Sequence, residues 1–436
     1  MASRGVPLTT IRRVAPLAAC KLRRITLKDL VHRMQQVYQP GEPAAFVGVA
    51  RWMQQELRIR FAHQLWEYYR QPYMLMMCRS FADVHDMHLA TFETLSAFEH
   101  MDSGQDVVKF AETLDREFKV HSQTLPLLRS GIMELRSCLG GLDALHLQAF
   151  LDKFLVTKIG NRVLVDNFVS WVSRAQNGDR SAASSTGVVV GCRLAPLLSE
   201  TAQGVRELAA DALGQCPDVP IDDSLDTEVL IVPAHLQFIF KEVLKNAIAA
   251  TVERFADAEP AAPRSPLHIG LQAFPWAAAK SELPPVQVAI HPGKYDVEVP
   301  FHLGEYEYGL ASTSAAWRLA QHELAKVRVA DQGGGMKRSV LKRIWEYGYS
   351  GTKARDDGEM GDAGSYERDL QMQMAGFGVG VPLSRLYARY FGGDLVVHSV
   401  YGFGTDVSIR MNRLGDHVEL GCSVEGSEDE QDEEES

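Results

Sequence analysis

The chain has 436 residues, 46% of them apolar and 23% charged, and a formal charge of −11 at pH 7. That length holds two cores of ordinary size, and no run of about 18 uninterrupted apolar residues argues for a membrane span. Eight of the acids fall within residues 425–436, which leaves the remainder near neutral, and no basic stripe points to nucleic acid.

The first 28 residues carry seven bases (Arg4, Arg12, Arg13, Lys21, Arg23, Arg24, Lys28), small and hydroxyl residues, and no acid. This composition predicts an organelle import peptide over 1–28 rather than a secretory signal, which needs a longer apolar core. From 29 to 175 apolar residues recur at helical spacing: Trp52, Leu57, Phe61 and Leu65, then Leu125, Leu128, Ile132 and Leu135, then Phe150, Phe154, Val163 and Phe168. They predict a helical bundle. The small, polar stretch from Arg174 to Gly187 marks a domain boundary. The six cysteines (20, 78, 138, 192, 216, 422) are scattered without a Cys-x-x-Cys pair, which fits a reducing compartment.

From 188 to 414 strands and helices alternate. Strands are expected at Val188–Cys192, Glu228–Val232, Val286–Ile290 and around Val327. A helix starts at Pro233 with an apolar stripe of Leu236, Ile239, Phe240, Val243, Leu244, Ala247 and Ile248. A second carries Leu383, Leu386, Tyr387, Tyr390 and Phe391 and stops at Gly392-Gly393. A hairpin of Leu395–Val400 and Thr405–Met411 turns at Gly402-Phe-Gly404. The expected architecture is α+β in two domains: an N-terminal helical bundle, then an α/β sandwich with strands in one layer and helices in the other. Segments 256–282 and 300–321 read as insertions, and 415–436 as a disordered acidic tail.

Four pieces carry chemistry. Glu242 and Asn246 are i and i+4 on the Pro233 helix, so both side chains leave one face. A carboxamide oxygen can hold Mg2+ without adding charge beside a triphosphate, and a neighbouring carboxylate can accept a proton. Asp331 follows an alternating strand and precedes Gly333, Gly334 and Gly335. A carboxylate there can accept from an adenine amino group while the glycines let backbone approach the base. Gly376-Phe-Gly-Val-Gly380 opens the second helix, whose N-terminus favours phosphate oxygens. The polar loop before it reads as a lid that orders over a triphosphate. Gly402-Phe-Gly-Thr405 is the fourth piece. Glycine order excludes the Rossmann fingerprint, and Walker and protein-kinase signatures are missing.

Together and in this order the pieces resemble the Bergerat ATP-binding fold of histidine kinases, heat-shock chaperone ATPases and type II topoisomerases. Arg385-Leu-Tyr-Ala-Arg-Tyr-Phe-Gly-Gly-Asp-Leu395 and Gly402-Phe-Gly-Thr-Asp406 resemble, more narrowly, the mitochondrial protein kinases of 2-oxoacid dehydrogenases. So do Gln55–Arg60, His121–Pro126 and Phe150–Arg162, which extends the likeness over roughly 27–414. The resemblance implies a matrix serine kinase that uses ATP and Mg2+ and acts on the decarboxylase subunit of pyruvate or branched-chain 2-oxoacid dehydrogenase. It also implies docking to a lipoyl domain of the acyltransferase core, and a homodimer. By position, Glu242 is the general base, Asn246 the Mg2+ ligand, and Asp331 the adenine ligand, with Thr405 assisting through water. Lys245, Gly333 and Gly335 line the nucleotide site, and Ser350 and Thr352 match the family's Ser-Thr segment. Gly376, Phe377, Gly378, Val379, Gly380 and Val381 form the phosphate lid.

The pattern departs at two positions. Ala249 replaces the arginine usual three residues after the asparagine, and Phe238 replaces the histidine that pyruvate dehydrogenase kinases carry four residues before the base. Branched-chain kinases are closer at Phe238, so the substrate stays open between the two acids. His121, five residues before Pro126, has phosphoacceptor spacing and is a catalytic candidate, but Ser122 stands where an acid normally follows such a histidine. Alternatives are therefore an autophosphorylating histidine kinase or an ATP-gated lipoyl-binding module.

Overall fold

The structure is a computed structural model that describes residues 8–98, 100–139, 144–179, 189–223, 226–256, 283–291, 324–349 and 378–420. The amino-terminal half is helical: α1 Leu8–Ala18, α2 Leu27–Val37, α3 Val47–Tyr69, α4 Tyr73–Met77, α5 Arg79–Ala97, α6 Gly104–Val120, α7 Thr124–Leu139 and α8 Ala144–Gln176. Local chemistry sets the starts. Thr26 accepts the Asp29 N–H at the head of α2, and Ser103 with Asp106 closes a capping box on α6. All of the helical-spacing residues singled out above are buried except the half-buried Leu125. Residues 8–18, within the expected import peptide, form a helix packed on α3, with Val14 fully buried.

The carboxyl-terminal half holds β1 Val190–Arg193, α9 Leu194–Leu213, β2 Ile221–Asp222, β3 Glu228–Ile231, α10 Pro233–Ala256, β4 Gln287–His291 and β5 Leu324–Ala330. There follow α11 Arg338–Arg343, α12 Gly380–Tyr390, β6 Asp394–Val400 and β7 Gly404–Asn412. The sheet order is β2-β4-β5-β7-β6, parallel only between β2 and β4, and β1 and β3 form a separate antiparallel ribbon. Along β5, Ala325, Val327 and Val329 are buried while Arg328 is exposed, the alternation of a sheet covered on one face. The covered face packs with α9, α10 and α12 in one core. The fold is α+β, helix-rich, with a mixed sheet in its carboxyl-terminal part.

α12 belongs to both halves. Leu383, Leu386 and Tyr390 pack with the helical bundle, whereas Ala388 joins the sheet core. Residues 415–420, expected as the start of the disordered tail, are instead packed. Lys28 N–H donates to Gly415 O at 2.9 Å, Glu419 N–H to Ile25 O at 3.0 Å, and Val418 bridges Thr26. The reason is composition: His417, Val418 and Leu420 precede the acid-rich run, and Glu419 meets buried Arg60 and Tyr390. The expected insertions fall almost wholly outside the described residues.

Candidate functional site

One face of α10 organises the site. Glu242, Asn246 and Ala250 follow at four-residue intervals on it. Glu242 is mostly covered, its Oε1 paired with Lys245 Nζ at 2.7 Å, and the Lys245 side chain is itself buried. Asn246 is exposed. Two other segments press on the same face. A methyl group at Gly380 would stand 2.1 Å from Glu242 Oε2, so any larger residue there would push the Glu242 carboxylate aside. A methyl at Gly333 would meet the Ala250 side chain at 2.5 Å. The two contacts are eight residues apart along the helix, about 12 Å at the standard rise.

Asp331 lies just beyond β5. Its Oδ1 accepts the N–H of Gly333 at 2.8 Å and of Thr405 at 3.2 Å, and its own N–H donates to Thr405 O at 2.9 Å. Burial raises its carboxyl above the usual range, against the pull of those two N–H groups. Oδ2 makes no hydrogen bond among the described residues. Thr405 Oγ1 lies 3.1 Å from Ser399 Oγ, which accepts the Met336 N–H at 2.7 Å. Gly335 takes a left-handed φ of +63° against the Val400 carbonyl. The glycine loop is thus stitched to the β6–β7 hairpin.

The base of the expected lid is stapled. Gly348 N–H donates to Gly378 O at 2.7 Å, and Gly378 adopts φ +68° directly against residues 348 and 349. Ser350, Thr352, Gly376 and Phe377 lie outside the described residues. Val379 precedes α12 and packs with the helical bundle, while Val381 packs with the sheet core. The first intrahelical bond here is Leu383 N–H to Val379 O, so the N–H groups of Gly380 and Val381 stand ahead of it.

The structure brings together Glu242, Lys245, Asn246, Gly333 and Gly380 on or against α10, and joins Asp331, Gly335 and Thr405 to them through the glycine loop. It does not bring His121 there. His121 is buried in the helical half, its Nε2 2.9 Å from Thr91 Oγ1, among Phe61, His88 and Phe118. Burial, with Lys158 and Arg162 nearby, pushes its imidazole down to about 3. A neutral, enclosed ring with its Nε2 engaged is poorly placed as a phosphoacceptor.

Two sets of residues escaped the sequence reading. Tyr347 donates to Asp152 Oδ1 at 2.8 Å, and Gln148 bonds Trp345 O and Tyr347 N–H, which ties the segment after α11 to α8. Burial pushes the Asp152 carboxyl up to about 6 even though the Tyr347 hydroxyl, Arg389 and Arg385 oppose it. No local pattern marks these contacts. Arg254 is the second omission, and it was legible: it continues the four-residue ladder of α10.

Comparison with known proteins adds to this geometry. A family profile described as mitochondrial branched-chain alpha-ketoacid dehydrogenase kinase matches residues 24–192. A mitochondrial pyruvate dehydrogenase (acetyl-transferring) kinase of Arabidopsis thaliana is 28% identical over 376 residues, 85% of this chain and 86% of that protein. Both matches support the 2-oxoacid dehydrogenase kinase family. Two further members extend the likeness: the pyruvate dehydrogenase kinase of Ascaris suum, 26% identical over 87% of this chain and 82% of its own length, and isozyme 4 of Homo sapiens, 26% identical over 83% and 76%. The family profile covers the helical bundle, whereas these relatives span bundle and sheet alike. Among the described residues no helix is long and apolar enough to cross a membrane.

Proposed function

We infer that the chain is an ATP-dependent protein serine kinase of the mitochondrial matrix. It transfers the γ-phosphate to the decarboxylase subunit of a 2-oxoacid dehydrogenase complex and so inactivates it. One observation carries this reading: a single helix face receives the head of α12 at Glu242 and the glycine loop of Asp331 at Ala250, with exposed Asn246 between them. The sheet half is read as a Bergerat-type nucleotide domain on that basis. The pyruvate complex is the favoured target, because the relatives that span most of the chain carry that name. Lipoyl-domain docking and a homodimer belong to the same reading.

The chain's residues divide the work by position. Asp331 Oδ2, left over from the two backbone N–H groups on Oδ1, accepts from the adenine amino group. The free N–H groups at the head of α12 favour phosphate oxygens. Lys245 holds Glu242 Oε1, which leaves Oε2 to take the proton of the substrate serine as its oxygen attacks the γ-phosphorus. The bond from that phosphorus to the bridging oxygen breaks, and ADP leaves. Asn246 fits a Mg2+ ion, which typically takes one or two protein oxygens and otherwise water and phosphate oxygens. When bound, that ion neutralises charge on the transferred group.

The test offers Mg-ATP with purified pyruvate and branched-chain decarboxylase components, and maps the modified residue. Acid-stable phosphoserine on the pyruvate component is expected. Glu242→Gln should lower transfer by about 100-fold or more with nucleotide binding kept, and Asn246→Ala should abolish transfer. Equal loss of nucleotide binding in Glu242→Gln would count against the base role.

A further inference from the structure

The α10 ladder of Glu242, Asn246 and Ala250 ends at Arg254, in the last turn of the helix. Arg254 Nη1 donates to Gln332 O at 2.9 Å and to Phe403 O at 2.6 Å, and Nη2 donates to Gly402 O at 3.0 Å. These carbonyls belong to two segments far apart in sequence, the loop after β5 and the β6–β7 turn. The same segments exchange Gly402 N–H to Gly334 O at 2.7 Å and Gly334 N–H to Phe403 O at 3.3 Å. Each also sends one N–H to Asp331 Oδ1. The direction of the Asp331 carboxylate therefore depends on loop and turn staying in register. A planar guanidinium suits such a clamp, because its fixed fork of donors can meet several carbonyls at once.

We propose that Arg254 is a positioning residue for the adenine end of the nucleotide site. It holds the Asp331 loop and the hairpin turn as one wall and thereby sharpens selection of adenine. This rests on the kinase reading given above. All three of its hydrogen bonds go to backbone carbonyls at the Asp331 end, eight residues along the helix from Asn246. It is therefore no substitute for a phosphate-contacting arginine at Ala249. Its effect must be the same for adenosine, which lacks phosphates, as for ADP.

Calorimetric titration of the full chain with adenosine, Mg-ADP and Mg-GDP distinguishes the cases. R254A should weaken adenosine and Mg-ADP by a common factor of about ten, the size of one or two lost hydrogen bonds. The preference for ADP over GDP should narrow, KM for ATP should rise, and kcat should hold within about twofold. R254K, which keeps a cation without the fork, should recover part of the affinity. R254Q, with a neutral two-donor amide, guards against a misfolded alanine variant and should also weaken both ligands equally. Weakening of Mg-ADP alone would make Arg254 a phosphate ligand and overturn the proposal. Unchanged affinity in all three folded variants overturns it as well. Failure of the unaltered chain to bind any nucleotide removes the kinase reading itself and the proposal with it.

Discussion

His235 shows how a single side chain can tie this fold to pH. It lies on α10 against the rings of Tyr387 and Phe391, and its Nδ1 has no hydrogen-bond partner among the described residues. Burial first, then Arg162 and Lys158, push its imidazole down to about 3. The unfolded chain protonates near 6.5 and the folded one does not. The associated stability is thus complete above 6.5 and is lost as pH falls toward 3. His235→Phe keeps a ring among rings and removes the titration. Denaturant unfolding at pH 7 and pH 5 should then differ by about 2 kcal/mol less than in the parent chain, and an unaltered difference would refute the assignment. His121 and His88 are displaced in the same direction, so acid should destabilise the helical half too. A helical wheel of the Pro233 helix puts His235 at the edge of its apolar stripe. It does not foresee the cations of α8, because their proximity comes from packing between halves.

At the level of elements, the junction of α10 with α12 is the most exacting. Gly380→Ala adds a methyl 2.1 Å from Glu242 Oε2. Alanine is otherwise welcome in a helix, so melting should change little. The displaced carboxylate should lower kcat by roughly 100-fold, as expected for a catalytic group moved by about 1 Å. A single-turnover assay with unchanged phosphate transfer would rule out the contact as functional. Both helices were legible because their apolar residues recur every three to four positions and Pro233 and Gly392 mark a start and a stop. The β6–β7 hairpin was legible for the same kind of reason, alternation around a glycine turn. β2, with two residues, carries too little pattern to be seen, and it exists only because β4 pairs with it. The contact of Tyr347 with Asp152 spans 195 positions and has no local signature at all.

Across the whole molecule the two halves are joined by buried charge as well as by α12. Arg60 donates to Glu56 Oε1 at 2.9 Å and to Glu419 Oε2 at 3.0 Å, and Tyr390 donates to the same Glu419 carboxylate. Burial works against the charged arginine, but Glu419 foremost raises its pKa well beyond the usual range. Glu419→Ala leaves that cation with Glu56 alone and should cost about 3–5 kcal/mol in urea unfolding; a loss below about 1 kcal/mol would show the pair to be dispensable. Two cores could be read from length and apolar spacing, yet nothing in the sequence announced that residues 415–420 return to the amino-terminal helices. This return has a consequence for biogenesis. Glu419 is made 359 residues after Arg60. At about 5–20 residues per second on the ribosome, the arginine waits roughly 20–70 s for its counter-ion. During that interval its guanidinium is better served by water than by the bundle interior, so the nascent helices should remain loosely assembled until the final segment emerges.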